Sequence, residues 1–118
     1  QKKTINHFYV ELWEDDKVPA KNEHIDHLIS LASYCEESLS ANTTSPAVVH
    51  CSAGVGRTGV FICMVELIAY LKQLNAADNI PKTISVFDMV RSLREQRWGS
   101  VKSFVVHSSD LGSIQIHL

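Results

Sequence analysis

A ten-residue segment at positions 50–59, His-Cys-Ser-Ala-Gly-Val-Gly-Arg-Thr-Gly, constrains the fold of this chain more than any other part of the sequence. The apolar run 47–49 precedes it, and an apolar, helix-like stretch at 60–71 follows it. This order predicts a short buried strand, a tight loop and a helix that begins at the loop. Such a loop can hold a phosphate dianion, because backbone amides and the positive end of the helix both attract it.

The composition of the loop is typical of an anion-binding site. Gly54 and Gly56 allow backbone angles that a Cβ atom disfavours, so the amides of residues 52–57 can point inward. Arg57 ends the loop with a planar guanidinium that can bind two phosphate oxygens at once. The predicted substrate-binding residues are therefore Ser52, Ala53, Gly54, Val55, Gly56 and Arg57.

Cys51 begins the loop and is the candidate nucleophile. A free thiol has a pKa of about 8.5, and a helix N-terminus with nearby cations lowers it to roughly 3.5–7.5. The resulting thiolate is a strong nucleophile at neutral pH. Arg57 can stabilise the charge of a transferring phosphoryl group. Thr58 can donate to the Cys51 sulfur and ease its departure, and His50 can orient the loop through backbone hydrogen bonds.

Each of these residues taken alone also fits a structural role. A lone cysteine is usually a small buried apolar residue, which is our prediction for Cys35 and Cys63. A lone histidine beside a strand is more often part of the core than of a catalytic site. The complete ten-residue string favours a catalytic role for these residues over a structural one. It also differs from a nucleotide-binding loop, which requires Gly-Lys-Ser/Thr and has no nucleophile.

This string resembles the phosphate-binding loop of the tyrosine-specific protein tyrosine phosphatases. Upstream, residues 13–19 (Trp-Glu-Asp-Asp-Lys-Val-Pro) are similar to the mobile acid loop of that family, Trp-Pro-Asp-x-x-Val-Pro. Downstream, residues 84–97 resemble the helix that leads into the family's glutamine loop. The resemblance covers residues 6 to about 101. It implies hydrolysis of phosphotyrosine in protein substrates through a cysteinyl-phosphate intermediate, with no metal or organic cofactor.

The resemblance makes Asp15 the candidate general acid, which would protonate the leaving phenolate and then act as a base toward water. The local sequence alone also fits a solvated acidic loop, because Glu11, Glu14 and Asp16 lie close by in the chain. Glu14 replaces the family's proline, so we expect a more flexible loop with a changed balance between open and closed forms. We expect Trp13 to pack on the core beside this loop.

Beyond residue 101 the chain departs from the family pattern. The family has two glutamines there that position the water for hydrolysis of the intermediate, and Lys102 and Val106 occupy their places. In the family, the arginine at the position of Arg94 supports the phosphate loop through hydrogen bonds. We therefore predict a partial phosphatase domain at 1–101, with Arg94 supporting the loop, and a divergent C-terminal tail at 102–118.

The order of the elements predicts an α/β fold with a predominantly parallel central sheet flanked by helices. Strands are predicted at 7–12 and 47–50, and helices at 23–39, 57–75 and 83–95, the last with Thr83 as its N-cap. The family domain is about twice as long as this chain. The predicted sheet is therefore incomplete, with its N-terminal half absent and its edges open, and we expect marginal stability.

Composition bounds the remaining possibilities. The 118 residues have a net charge of −2 and are 45% hydrophobic, as expected for at most one domain. We find no apolar run that predicts a membrane segment and no signal peptide, and an odd set of three cysteines argues against disulfides, so we predict a cytoplasmic protein. No basic excess suggests nucleic acid as a partner. The sequence leaves the oligomeric state open.

Two functions of different class follow, together with a third possibility. The first is a phosphatase, in which Cys51 attacks phosphorus and Asp15 protonates the leaving group. The second is a catalytically impaired protein that binds or traps phosphotyrosine ligands, because the anion-binding loop is intact while the two glutamines are missing. The third is a nonfunctional fragment that does not fold by itself.

Overall fold

The structure, a computed structural model, describes residues 1–11, 13–14, 17–42, 44–78, 84–102 and, for the backbone only, 114–117. Within these residues three helices and three strands follow one another along the chain. They are β1 (His7–Val10), α1 (Asn22–Ala41), β2 (Val48–His50), α2 (Gly56–Ala76), α3 (Val86–Gln96) and β3 (Ile114–His117). The predicted alternation of strands and helices up to α3 is therefore present, with boundaries that differ by a few residues.

The three strands form one sheet in the order β1-β3-β2. β3 pairs with β1 in antiparallel register, with His7 opposite His117 and Val10 opposite Ile114. β3 also pairs antiparallel with β2, where His50 lies opposite Gln115. The prediction of a predominantly parallel sheet is wrong for the described strands. β1 and β2 do run in the same direction, but a strand from the C-terminal segment lies between them and opposes both.

The apolar core lies between α1 and α2. The buried apolar residues among those described are Trp13, Leu28, Ala32, Cys35 and Phe61, with half-buried side chains from β1, β2 and both helices packed around them. An ion pair between Lys72 of α2 and the buried carboxylate of Glu36 joins the two helices, and Ser40 donates a hydrogen bond of 2.7 Å to Glu36. The predicted burial of Cys35 is confirmed, whereas Cys63 is only half-buried.

Helix α3 begins later than predicted. Its N-cap is Ser85, whose hydroxyl accepts a hydrogen bond of 3.2 Å from the backbone N–H of Asp88. Thr83, the predicted N-cap, lies outside the described residues. Serine and threonine are both favoured N-caps, so propensity alone does not choose between two such residues that lie two positions apart. No residue of α3 is fully buried, and Phe87 at its start is 66% exposed.

Helix α2 is long and apolar enough to cross a membrane, judged by its length and composition within the described part of the chain. The core helix of a soluble protein meets the same criterion, so this finding alone is weak support for a membrane span. The sequence prediction of no membrane segment did not anticipate it. Here α2 packs against α1 and begins at the loop that follows β2.

Candidate active site

The loop between β2 and α2 has the predicted strand–loop–helix geometry. β2 ends at His50, residues 52–55 form successive bends, and α2 starts at Gly56. Gly54 has φ +70°, in the left-handed region that favours glycine. The amide of Gly59 donates to the carbonyl of Val55 at 3.2 Å, which joins the end of the loop to the first turn of the helix. The loop therefore ends at the positive end of α2.

The pKa of the Cys51 thiol lies below its ordinary value. Burial by itself raises this pKa, but hydrogen bonds from the side chain and backbone of Thr58 and from the backbone of Gly54 lower it, and so does the charge of Arg57. These contacts stabilise the thiolate and together outweigh the cost of burial. The thiol therefore ionises more readily than a free cysteine.

The other two cysteines have the opposite perturbation. Burial raises the pKa of Cys35. Burial and then the charge of Glu66 raise the pKa of Cys63. Of the three cysteines, Cys51 is thus the one whose surroundings favour the thiolate.

We expect iodoacetate at about pH 6 to alkylate Cys51 at least about tenfold faster than Cys35 or Cys63, because the thiolate is the reacting form. Peptide mass spectrometry after short exposure measures the three rates. The Cys51→Ser variant is the control and should show only the slow labelling of the other two. Labelling of Cys63 at the same rate as Cys51 would contradict the assignment of the low pKa to Cys51.

Arg57 is buried, with 3% of its surface exposed, and its Nη1 donates a hydrogen bond of 3.0 Å to the backbone carbonyl of Trp13. Trp13 is itself buried, and its indole Nε1 donates to the carbonyl of Lys17 at 2.7 Å. The prediction that Trp13 packs on the core is confirmed. These contacts place both flanks of the predicted acid loop next to the arginine, whereas Asp15 itself lies outside the described residues.

Thr58 and His50 lie on the two sides of Cys51 along the chain. Thr58 is buried, and its side chain and backbone both lower the pKa of Cys51. His50 is half-buried at the end of β2, where its register partner is Gln115 of β3. The start of the loop is therefore held by backbone pairing to a strand that the sequence did not predict.

A turn at residues 100–101 supports the loop from outside. The amide of Val101 donates to the carbonyl of Val55 at 3.0 Å. Arg94 donates from Nε to the carbonyl of Ser100 at 2.9 Å and from Nη2 to that of Val101 at 2.7 Å. Arg94 thus donates two hydrogen bonds to this turn, and the turn contacts the phosphate loop. Its predicted support of the loop is indirect.

Gly59 is the closest contact between α2 and this turn. A Cβ atom at this position would lie 2.6 Å from the backbone nitrogen of Val101, and a backbone group cannot move aside as a flexible side chain can. We expect Gly59→Ala to destabilise the fold by about 1–3 kcal/mol through this overlap. Thermal unfolding followed by circular dichroism measures the loss. At Gly56 a Cβ would make only an ordinary contact of 3.9 Å with Lys102, so Gly56→Ala is the control. Equal melting temperatures for the two variants would refute the overlap.

Two basic side chains beside the loop were not predicted as part of the site. The Nη2 atom of Arg97 lies 3.3 Å from the position that a Cβ on Gly54 would take. The Cβ of Lys102 lies 3.9 Å from the position that a Cβ on Gly56 would take. Helical spacing gave no signal for Arg97, because this residue follows the end of α3 and its backbone is extended.

A cavity of about 220 Å³ adjoins the loop between the acid-loop flanks and the turn. Its walls include Trp13, Lys17, Arg57 and Lys102, with apolar residues of α1 and α2 behind them. Trp13 and Arg57 thus contact both the cavity and one another. The site combines a thiol with a lowered pKa and a buried guanidinium, groups that can attack and bind a phosphate ester.

Comparison with known proteins identifies tyrosine phosphatases as relatives of this chain. Residues 1–106 match the protein-tyrosine phosphatase family. The chain is 38% identical over 91 residues to mouse (Mus musculus) tyrosine-protein phosphatase non-receptor type 18, covering 77% of this chain and 18% of that protein. It is 42% identical over 67 residues to tyrosine-protein phosphatase 1 of Saccharomyces cerevisiae, covering 56% and 18%.

A receptor-type relative is also similar. The chain is 39% identical over 95 residues to the chicken (Gallus gallus) receptor-type tyrosine-protein phosphatase eta, covering 80% of this chain and 6% of that protein. The chain thus spans less than a fifth of the length of these curated relatives. No solved structure matches the chain.

Proposed function

Because this chain belongs to the protein-tyrosine phosphatase family, we propose that it carries the catalytic segment of an enzyme that hydrolyses phosphotyrosine in proteins. The observation that carries the proposal is the environment of Cys51, whose thiol has a lowered pKa in the loop that leads into α2. An ionised sulfur in an anion-binding loop is suited to in-line attack on a phosphate ester.

In the first step, the Cys51 thiolate attacks phosphorus and a sulfur–phosphorus bond forms while the bond from phosphorus to the tyrosine oxygen breaks. The loop amides of residues 52–57 and the Arg57 guanidinium hold the other three oxygens. Asp15 gives its proton to the tyrosine oxygen, so the leaving group departs as a neutral phenol. The carbonyl of Trp13, which accepts from Arg57, fixes the orientation of the guanidinium.

In the second step, water attacks phosphorus and the sulfur–phosphorus bond breaks, returning the thiolate and inorganic phosphate. The Asp15 carboxylate takes a proton from the water. Thr58 donates to the departing sulfur and stabilises its negative charge, a role supported by its contacts with Cys51. His50 holds the start of the loop through its place at the end of β2.

A second candidate function is the trapping of phosphotyrosine ligands without release of phosphate. It is favoured by Lys102, which stands where the resemblance puts a water-positioning amide and whose Cβ lies 3.9 Å from the position that a Cβ on Gly56 would take. A lysine at this position favours a bound anion but cannot accept a hydrogen bond from an attacking water. In this case the first step would outpace the second.

A phosphotyrosine peptide assay with the full chain separates the two functions. Release of many equivalents of phosphate per chain supports the phosphatase, and a burst of one equivalent of dephosphorylated peptide supports the trap. The phosphoserine peptide of the same sequence is the matched control. If a chain shown by circular dichroism to be folded gives neither turnover nor burst nor peptide binding, both functions are wrong.

The role of Asp15 has its own test. We expect Asp15→Ala to slow the reaction of phenyl phosphate about 10²–10⁴-fold, the usual contribution of a general acid, and that of an aryl phosphate with an acidic phenol much less. Asp16→Ala is the matched control because it removes a neighbouring carboxylate. Equal slowing of both substrates by Asp15→Ala would remove Asp15 from this role.

The cytoplasmic location of this chain stays a prediction, because its relatives include both non-receptor and receptor-type proteins. The substrate class proposed here is phosphotyrosine-containing protein.

A further inference from the structure

Three contacts join the two flanks of the predicted acid loop. The indole Nε1 of Trp13 donates to the carbonyl of Lys17 at 2.7 Å, and the amide of Lys17 donates to the carbonyl of Glu14 at 3.4 Å. The side chains of Glu14 and Lys17 also form an ion pair. We call these three contacts the clamp. In the sequence, Asp15 and Asp16 stand between its residues.

One end of the clamp is fixed to the core. Trp13 is buried, and its backbone carbonyl accepts a hydrogen bond of 3.0 Å from Arg57. Lys17 lines the same cavity as Arg57. The place of the clamp beside the arginine is therefore set by packing around Trp13, which a change in the charge of Glu14 or Lys17 leaves intact.

The other end of the clamp depends on the ion pair. The hydrogen bond from the amide of Lys17 to the carbonyl of Glu14 is longer than the usual range of about 2.7–3.2 Å, so it is weak. The side chains of Lys17 and Glu14 are 34% and 37% exposed. An ion pair with this exposure makes a modest contribution that salt reduces. The ion pair is thus the part of the clamp that side-chain substitutions and salt can remove.

The ion pair includes the position at which the resemblance puts proline. A proline has a fixed φ angle and needs no partner to restrain the backbone. Glu14 has no such ring, and its presence alone predicts a more flexible loop. Its carboxylate, however, is paired with Lys17 three residues further along the chain. A contact between side chains therefore supplies a restraint at the place where the proline ring is missing.

We propose that the Glu14–Lys17 ion pair positions Asp15 for proton transfer to the leaving group. It restrains the backbone on both sides of Asp15, so less conformational entropy is lost when the carboxyl group reaches the tyrosine oxygen. Glu14 and Lys17 act through Asp15, so they are positioning residues. This inference rests on the proposed function, in which Asp15 is the acid. Asp15 itself lies outside the described residues, and the clamp consists of described residues on either side of it.

A positioning role predicts an effect that depends on the leaving group. Protonation by an acid matters most for a leaving group that is strongly basic, such as phenolate, and little for 4-nitrophenolate. A purely structural role of the ion pair would slow phenyl phosphate and 4-nitrophenyl phosphate alike. The readout is therefore the ratio of the two first-turnover rates, measured as release of the phenol. This step is common to a phosphatase and to a trap that keeps the phosphate.

Substitutions that remove the ion pair test this ratio. At about pH 6 and low salt, we expect Glu14→Gln to slow phenyl phosphate about two- to fivefold, the range that an exposed ion pair supplies, and to leave 4-nitrophenyl phosphate within about 1.5-fold. Lys17→Gln should have the same effect, and the double variant should be no slower than either single variant, because each removes the same contact. Glu11→Gln and Lys21→Gln are the matched controls, since these exposed residues lie outside the clamp, and the ratio should not change.

Salt and an exchange of charges give two further readouts. An increase in ionic strength from about 0.01 M to about 1 M shortens the screening length from about 30 Å to about 3 Å, so the difference between the unmodified chain and Glu14→Gln should largely disappear. The exchanged variant, Glu14→Lys with Lys17→Glu, again has opposite charges at the two positions. It should release phenol at least about twice as fast as Glu14→Lys alone, which places two like charges together.

The outcomes separate this inference from the proposed function. Unchanged ratios in Glu14→Gln and Lys17→Gln, an equally large change in Glu11→Gln, or an exchanged variant no faster than Glu14→Lys would overturn the inference and leave the proposed function in place. If neither aryl phosphate reacts with an unmodified chain that circular dichroism shows to be folded, the proposed function is wrong and the inference is wrong with it. A changed ratio in both clamp variants, with recovery in the exchanged variant, supports the inference.

Discussion

Replacement of Cys51 by serine is expected to slow dephosphorylation of a phosphotyrosine peptide by a factor on the order of 10⁴ or more. Removal of the nucleophile reduces the rate by this much in comparable enzymes. Burial raises the pKa of Cys51, but the hydrogen bonds from Thr58 and Gly54 and the charge of Arg57 lower it below its ordinary value and favour the thiolate. The hydroxyl of a serine, with its much higher pKa, would stay protonated in the same place. The measurement is the rate of peptide dephosphorylation in the first turnover.

The same variant should still bind anions, because the amides of the loop and Arg57 are unchanged. Calorimetric titration with tungstate measures this affinity, and we expect it to stay within about tenfold of the unmodified chain. Cys63→Ser is the matched control and should retain activity, because Cys63 lies on α2 outside the loop. First-turnover rates that are the same for Cys51→Ser and the unmodified chain would show that another group is the nucleophile.

The second large effect is expected from removal of β3. A chain that ends at residue 113 lacks the strand that pairs with both β1 and β2, so neither of these strands keeps a ladder partner among the described strands. A pair of isolated short strands is not stable in water. We expect loss of the cooperative thermal transition, or a fall in melting temperature of more than about 10 °C, since each kcal/mol shifts it by about 4–8 °C in a chain of this size.

Removal of residues 1–5 is the matched control. These five residues are exposed and lie outside every helix and strand, and the deletion has the same length. It should change the melting temperature little. If the two deletions have the same small effect, β3 does not stabilise the sheet, and the antiparallel pairing would have to be rejected.

The local geometry of the site could be predicted from sequence because each part is set by neighbouring residues. A strand, two glycines and a helix N-terminus determine the loop around Cys51, and the sign of its pKa shift follows from amides and charge within the loop. The burial of Trp13 was predictable for a similar reason, as a large aromatic side chain between a strand and a helix buries much apolar surface.

The sheet topology was not predictable in the same way. Pairing between strands depends on contacts between residues that are distant in the chain, and nothing local to 114–117 marks that segment as the partner of β1 and β2. The alternation of strands and helices favours parallel strands, and it gave the wrong arrangement for the described strands. The contact of Arg97 with Gly54 likewise joins two segments whose proximity only the packing of α3 determines.

The central position of β3 has a consequence for how the chain folds. The strand that completes the sheet follows the other described elements along the chain, and its partners are the strands at residues 7–10 and 48–50. Contacts between such distant residues slow folding. The strand that leads into Cys51 therefore pairs with β3 late in folding, and the start of the loop depends on a contact that forms slowly.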